Sequence, residues 1–329
     1  MTKIEWTNQT WNPVVGCSKT SPGCAECYAI LMAHRLEAMA GNLDNPGRLE
    51  YYKGLTQKLP SGRIEWTGEV KFVEEALQIP LQRKKSQTYF VNSMSDLFHD
   101  TVTDKELDQI FAVMALTPQH TYQVLTKRPE RMHDYCTNAK HQIIEECTRR
   151  IVSGSLSQQQ KITAISIWAD TRPHYPLPNI WLGVTTEDQR TVNERIPLLL
   201  QTPAVIRFLS CEPLLEKIDI ESIQGALWLY DDEYGTGQRI KANGIDQVII
   251  GGESGPRAKP CHVEWLQDLV AQCRDAGVAV FVKQLGSNVW HQGQRVKLVS
   301  DRKGSSSETL ERFGLNIREF PGQVEAIAG

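Results

Sequence analysis

Three cysteines crowd one short loop. Cys17, Cys24 and Cys27 stand in "VVGCSKTSPGCAECYA" with the spacing C-x6-C-x2-C, and Tyr28 follows the last of them. A structural zinc takes four protein ligands and a disulfide takes two thiols. An iron–sulfur cubane is held by thiolates, one to each iron, so three cysteines leave one iron open to a substrate or cofactor. A catalytic zinc keeps a comparable open position. The loop is a candidate for a thiolate-held metal group with one vacancy.

A group of that kind needs rigid elements around it. Downstream, the chain alternates strand-length apolar runs with amphipathic helices: "TYFVNS" then "DKELDQIFAVMAL", "TYQVLT" then "RPERMHDYC", "NIWLGVT" then "EDQRTVNERIPLLL". "AVIRFLS", "DQVIIGG" with "HVEWLQDLVAQCRDAG", and "VAVFVKQ" continue the rhythm, and "TWNPVVG" opens it. Nearly continuous Val, Ile, Phe and Leu runs between helices predict parallel strands buried on both faces. The expected fold is α/β, a full or partial (β/α) barrel of about six to seven parallel strands with insertions. No G-x-G-x-x-G follows any strand, which argues against a dinucleotide fold. The expected organisation is one barrel domain over residues 1–285, with irregular insertions near 41–87, 137–178 and 222–246. Residues 286–329 read as a tail or lid.

In such barrels the chemistry gathers at the C-terminal ends of the strands. The first strand end delivers the three cysteines. The second delivers Asn92, Ser93, Ser95 and Asp96, with His99 and Asp100 beyond. Thr126, Lys127 and Arg128 follow the third, and Thr185, Thr186, Glu187 and Asp188 the fourth. Ser210, Cys211 and Glu212 follow the fifth, Gly251, Gly252, Glu253 and Ser254 the sixth, Lys283 and Gln284 the seventh. Strand-to-helix junctions carry Ser, Thr and Asp as helix caps in any case. Caps do not account for "TKR", "CEP" and "GGE", where charge follows a buried strand directly. Such charges must be paired, solvated or used on a ligand.

Composition narrows the classes. The 329 residues are 40% hydrophobic and 23% charged, with a formal net charge of −3. No bulk positive charge advertises nucleic acid, although a local basic surface is compatible with that balance. The start, "MTKIEWTNQTWNP", has no apolar signal region, and no apolar run approaches the ~18–20 residues of a membrane span. The expectation is a soluble, cytoplasmic protein without a membrane partner. In a reducing compartment the remaining cysteines, Cys136, Cys147, Cys211, Cys261 and Cys273, are expected as buried thiols.

The cysteine segment "GCSKTSPGCAECYA" resembles the cluster loop of the radical S-adenosylmethionine (SAM) superfamily, with a longer first gap than the commonest C-x3-C-x2-C. "VNSMSDLFHD", "QVLTKRPERM" and "LGVTTEDQR", in that order, resemble the spore photoproduct lyase branch. Over nearly the full chain, "EWT", "WNP", "SPGC", "SMSDLFH", "LTKRPERM" and "GGESGP" are similar to a phage- and prophage-borne family of unassigned function. The resemblance implies that Cys17, Cys24 and Cys27 ligate a [4Fe–4S] cluster and that Tyr28 shields it or packs near the adenine. It implies that Ser93, Ser95 and Asp96 meet the SAM amino group and that Lys127 or Arg128 pairs with its carboxylate. Thr185 and Glu212 would meet the ribose, Gly251 and Gly252 would approach the adenine, and Glu253 would touch substrate or SAM. The implied chemistry is reductive cleavage of SAM to a 5′-deoxyadenosyl radical, with Cys211 as a candidate hydrogen donor.

A competing reading is a zinc-stabilised Cys3His protein that binds nucleic acid or another partner, with His34 as fourth ligand. Another is a metal-free β/α enzyme with incidental cysteines. The implied partners are an electron donor such as flavodoxin or ferredoxin and a nucleic acid or nucleotide substrate. Arg83, Lys84, Lys85, Arg149 and Arg150 are candidate phosphate contacts, and Trp6, Trp11, Trp66 and Trp290 candidate base-stacking rings.

Overall fold

A computed structural model of the chain describes residues 4–152, 156, 158, 161–162, 175–231, 238–242, 244–298 and 302–322. The strands expected from the apolar runs form. They are β1 (Gln9–Trp11), β2 (Thr88–Val91), β3 (Thr121–Thr126), β4 (Ile180–Thr185), β5 (Ile206–Cys211), β6 (Gln247–Gly251) and β7 (Ala279–Gln284). The main helices are α1 (Tyr28–Ala40), α2 (Asp104–Ala115), α3 (Pro129–Asn138), α4 (Lys140–Val152), α5 (Gln189–Gln201) and α6 (Val263–Asp275).

The chain divides into two compact units, Met1–Leu182 with Thr202–Val205, and Gly183–Gln201 with Ile206–Gly329. In the first, strand order is β1-β2-β3 and then the start of β4. Pairing is parallel, Gln9 opposite Tyr89 and Thr88 opposite Thr121. In the second, the end of β4 is followed by β5, β6 and β7, again parallel, with Gln247 opposite both Phe208 and Ala279. The α/β class and the seven parallel-type strands stand as expected. Among the described residues, β1 and β7 each have a single neighbour in the strand order.

The elements follow local rules. All five residues of β6 are buried, as are five of the six of β7, which matches strands covered on both faces. Thr103 caps α2 in a capping box. Its hydroxyl takes the Glu106 N–H, and the Glu106 carboxylate takes the Thr103 N–H at 2.8 Å. Pro129 opens α3 at the position where its missing N–H costs nothing.

In the first unit, Trp11 lies against Tyr122 and Tyr122 stacks on Tyr89, both with ring centroids 5.5 Å apart. The Trp11 indole donates to the Ala76 carbonyl at 2.8 Å. Trp6, Trp11 and Trp66 are therefore core residues, and their expected role as base-stacking rings is withdrawn. The five dispersed cysteines are buried, as expected, and burial pushes each of their thiols up.

Two local expectations change. The first sheet strand stops at Trp11 rather than running through "TWNPVVG", because Pro13 has no N–H for the ladder. Val14–Val15 instead pair antiparallel with Lys71–Phe72, and the Pro13 carbonyl accepts the Val73 N–H at 2.7 Å. The segment after 285 is no loose tail in its described part. Leu310, Leu315 and Ile317 are buried, and the Glu319 carboxylate accepts the Val280 N–H at 3.0 Å. Of the excursions, residues 222–246 hold an antiparallel pair, Trp228–Asp231 with Gln238–Lys241. Residues 137–178 include a regular helix, α4, where an irregular stretch was expected, and residues 153–155, 157, 159–160 and 163–174 lie outside the described residues. No helix among the described residues is long and apolar enough to cross a membrane.

Candidate functional site

Three loops of the first unit meet around the thiols. The cysteine loop leaves the Val14–Val15 strand through Gly16. Here φ is +90°, and a Cβ would lie 2.2 Å from the Glu69 carbonyl oxygen, so only glycine fits. Gly16 N donates to the Met94 carbonyl at 3.2 Å, which seats the cysteine loop on the loop after β2. Cys24 ends a short 3-10 turn, Pro22–Cys24, and Cys27 is the N-cap residue of α1.

The excursion at 41–87 clamps this loop. Its hairpin, Thr56–Lys58 with Ile64–Trp66, carries Arg63 and Glu65. Glu65 pairs with Arg63 at 2.7 Å and also with Lys19, while Arg63 lies 3.6 Å from Glu26 and donates to the Ala25 carbonyl.

Asp96 organises the opposite side. It is buried and accepts four hydrogen bonds. Thr126 Oγ1 at 2.7 Å and Phe98 N at 3.0 Å reach Oδ1, and Lys127 N at 2.9 Å and Arg128 Nη1 at 3.1 Å reach Oδ2. Those bonds occupy the roughly four acceptor sites of a carboxylate. Asp96 is thus spent on shaping the "TKR" turn, not open to a SAM ammonium. Arg128 continues the network, with Nη2 on Ser18 Oγ at 2.8 Å, and Ser18 Oγ lies 2.8 Å from His99 Nε2. Burial, then the nearby Arg128 cation, hold His99 below its ordinary range. Lys127 Nζ donates to Ser21 Oγ at 3.1 Å, and that hydroxyl is 3.7 Å from Cys24 Sγ.

Ser93 and Ser95 are likewise engaged. Ser93 Oγ donates to Asn12 Oδ1 at 3.1 Å, and Ser95 Oγ to the Val14 carbonyl at 2.8 Å. The Ser93 carbonyl accepts the Tyr28 hydroxyl at 2.7 Å, so Tyr28 ties α1 to the β2 loop. Sequence reading missed Asn12, Ser18, Ser21, Arg63 and Glu65 as parts of the site. Only the closeness of Ser18 and Ser21 to the cysteines signalled any of them.

The thiols differ electrostatically. Burial pushes Cys17 up to about 12, with Asp96 adding to the effect and Arg128 opposing it. Burial also raises Cys27. Burial acts on Cys24 in the same sense, but the Lys127 ammonium and hydrogen bonds at Thr20 and Ser21 outweigh it, and the thiol lies below its ordinary value. Cys17 feels the charges of both Cys27 and Cys24. None of the three is in a disulfide.

Three thiols of one loop, with two cations beside them, are the donor type that an iron–sulfur cluster would take, one thiol to each iron. Among the described residues, no three His, Cys, Asp or Glu side chains are grouped so that they could hold a metal ion. His34, the expected fourth zinc ligand, is exposed on α1 with Nδ1 3.1 Å from Thr56 Oγ1.

The remaining expected site residues lie in the second unit, where they mostly satisfy one another. Thr185 offers its carbonyl to Arg195 at 2.7 Å, and Arg195 pairs with buried Glu187 at 2.9 Å. Glu212 Oε1 accepts Lys283 Nζ at 2.6 Å and Gln284 Nε2 at 3.2 Å. Gly251 makes room for that carboxylate, since a Cβ there would lie 3.3 Å from Glu212 Cγ. A Cβ on Gly252 would lie 2.1 Å from the Leu285 carbonyl oxygen, so its role is close approach of two backbones. Glu253 is buried and accepts the Lys259 N–H at 2.8 Å. Cys211 is fully buried, with Sγ 3.2 Å from Thr186 Oγ1, and burial pushes it up to about 12. A thiol with no exposure is not placed to quench a substrate radical, so Cys211 is withdrawn as hydrogen donor.

A family model described as "Protein of unknown function (DUF5131)" matches residues 1–313. No curated protein and no solved structure matches the chain.

Proposed function

The chain belongs to the DUF5131 family, and from that premise and the thiol site we propose that it is a radical SAM enzyme of the partial β/α barrel type. Cys17, Cys24 and Cys27 are the residues that would hold a [4Fe–4S] cluster. The observation that carries the reading is three unbridged thiols on one anchored loop, with Lys127 beside Cys24 and Arg128 beside Cys17. When bound, such a cluster supplies one electron to SAM, which releases methionine and leaves a 5′-deoxyadenosyl radical to take a substrate hydrogen.

The chain's own residues prepare the site. Lys127 and Arg128 lower the cost of gathering three thiolates in a half-buried pocket. Loading displaces the thiol protons, most readily from Cys24. Asp96 fixes the backbone of Lys127 and the guanidinium of Arg128, so both cations keep their aim. Gly16, Arg63 and Glu65 hold the loop ends, and Tyr28 joins the start of α1 to the loop after β2.

The test is anaerobic reconstitution with iron and sulfide, then dithionite and SAM, with assay for 5′-deoxyadenosine. A brown protein that forms this product, and a Cys24→Ala variant that does not, is the expected result. A colourless protein that takes up zinc at the same cysteines overturns the reading.

A further inference from the structure

A small sheet of the second unit lines up aromatic rings and a cation. Its strands are Cys261–His262, Val289–His291 and Gln294–Arg295, in that order. In register, His262 stands opposite Trp290, and Trp290 opposite Arg295. Side chains directly opposite share a face of the sheet, so His262, Trp290 and Arg295 form one row. Trp265, in the first turn of α6, extends it. The His262 and Trp265 ring centroids are 4.4 Å apart, and His262 and Trp290 are stacked at 6.2 Å with an interplanar angle of 24°. All three rings are half-buried and Arg295 is exposed.

The next residue belongs to the other face. His291 packs on Phe313 with centroids 5.2 Å apart, and its Nδ1 is 3.0 Å from Glu264. Glu264 also accepts the Gln292 N–H at 2.5 Å, so the acid next to Trp265 in sequence is held on the His291 side. The Trp290 indole N–H is satisfied by Asn288 Oδ1 at 3.1 Å, and Asn288 is itself fixed on the Ala258 carbonyl at 3.0 Å. The ring is thus held in place by polar contacts at its edge.

Residues 285–298, which carry Trp290, contain Arg295 and Lys297 and no Asp or Glu, whereas the segment with Arg257 and Lys259 is bordered by Glu253 and Glu264. Among the described residues, the side chains of Lys259, Arg295 and Lys297 make no ion pair. Half-exposed aromatic rings in a row, with unpaired cations beside them, suit a single-stranded nucleic acid. Bases present π faces to the rings, and the phosphates between them meet the cations.

We infer that the Trp265–His262–Trp290–Arg295 row is a stacking platform for single-stranded nucleic acid. Bases seat on the indole rings, and Arg295, Lys297 and Lys259 hold the phosphates. Duplex is excluded because paired bases keep their faces stacked on one another. Stacking and phosphate contact do not consult the sugar, so RNA and DNA single strands bind alike. The inference is independent of the cluster reading, since binding needs neither iron nor SAM.

The test uses the full chain without metal and fluorescein-labelled, mixed-sequence oligonucleotides of about 16 nucleotides, read by anisotropy and tryptophan quenching. Both single strands should bind at about 50 mM salt and weaken steeply by about 200 mM. Trp290→Ala should weaken binding about tenfold or more, whereas Trp290→Tyr, which keeps a stacking ring, stays within a few-fold. Arg295→Glu sits on an exposed strand and leaves the fold intact. It should weaken binding and flatten the salt dependence. The inference is overturned by absent binding at low salt, by unchanged binding in both Trp290→Ala and Arg295→Glu, or by duplex binding as tightly as single strand.

Discussion

At the scale of the residue, partners decide what a charged group does. Asp96 stands where a ligand-binding acid was expected, yet its four hydrogen bonds all stay within the protein. Its removal would leave the buried Arg128 guanidinium with only the exposed Asp100 carboxylate, 4.0 Å away. Asp96→Ala should therefore cost about 3–5 kcal/mol of stability, measured by urea unfolding of the metal-free chain, with loss of iron uptake. The thiols make a separate prediction. Cys24 lies below its ordinary value and Cys17 and Cys27 above it, so at mildly alkaline pH only Cys24 is substantially thiolate. Iodoacetamide should label Cys24 first in the metal-free protein, as read by peptide mass spectrometry. Its rate should fall as pH drops through the Cys24 value and the thiolate is protonated. Equal labelling of the three would contradict this electrostatic picture.

At the scale of the element, the loops between strands matter more than the strands. Pro13 ends β1 early, and the freed backbone makes a second short pairing that directs the cysteine loop toward the loop after β2. Gly16 is the hinge of that connection. Gly16→Ala brings a Cβ against the Glu69 carbonyl at a positive φ, so the cysteine loop should lose its seat. We expect destabilisation of at least ~1 kcal/mol and sub-stoichiometric iron after reconstitution, checked by unfolding and metal analysis. The hairpin carrying Arg63 and Glu65 shows why the irregular stretch after α1 exists. It has no strand–helix rhythm because its work is to brace a loop. Arg63→Ala should leave secondary structure unchanged by circular dichroism and shorten the lifetime of the reconstituted group under chelator.

At the scale of the whole molecule, loading and folding are linked. A group bound only by the folded chain raises the unfolding midpoint, and thiol deprotonation makes that gain larger at higher pH. The loaded protein should melt above the metal-free one in an anaerobic scan, and Cys24→Ala should remove the difference. Net charge is equally uninformative until it is placed. The chain is slightly acidic, yet residues 285–298 around Trp290 carry Arg295 and Lys297 and no Asp or Glu. The basic runs that stood out in sequence fare differently. Arg83, Lys84 and Lys85 are exposed at a helix end, while Arg150 is buried and pairs with Glu146 at 2.8 Å.

The sequence by itself determined the α/β alternation, the main helices other than α4, the burial of the five dispersed cysteines and the cysteine loop. Those signals are local. Apolar period, Pro and Gly placement, and thiol spacing are written within a dozen residues of one another. Only the tertiary structure decided what the polar residues at the strand ends face. Arg128 finds Ser18 across 110 positions, Lys283 finds Glu212 across 71, and His262 meets Trp290 through a small sheet that periodicity does not announce. Pairing of that kind is set by how strand ends and loops converge. A charge after a strand looks the same in sequence whether it awaits a ligand or has already been neutralised by a neighbour.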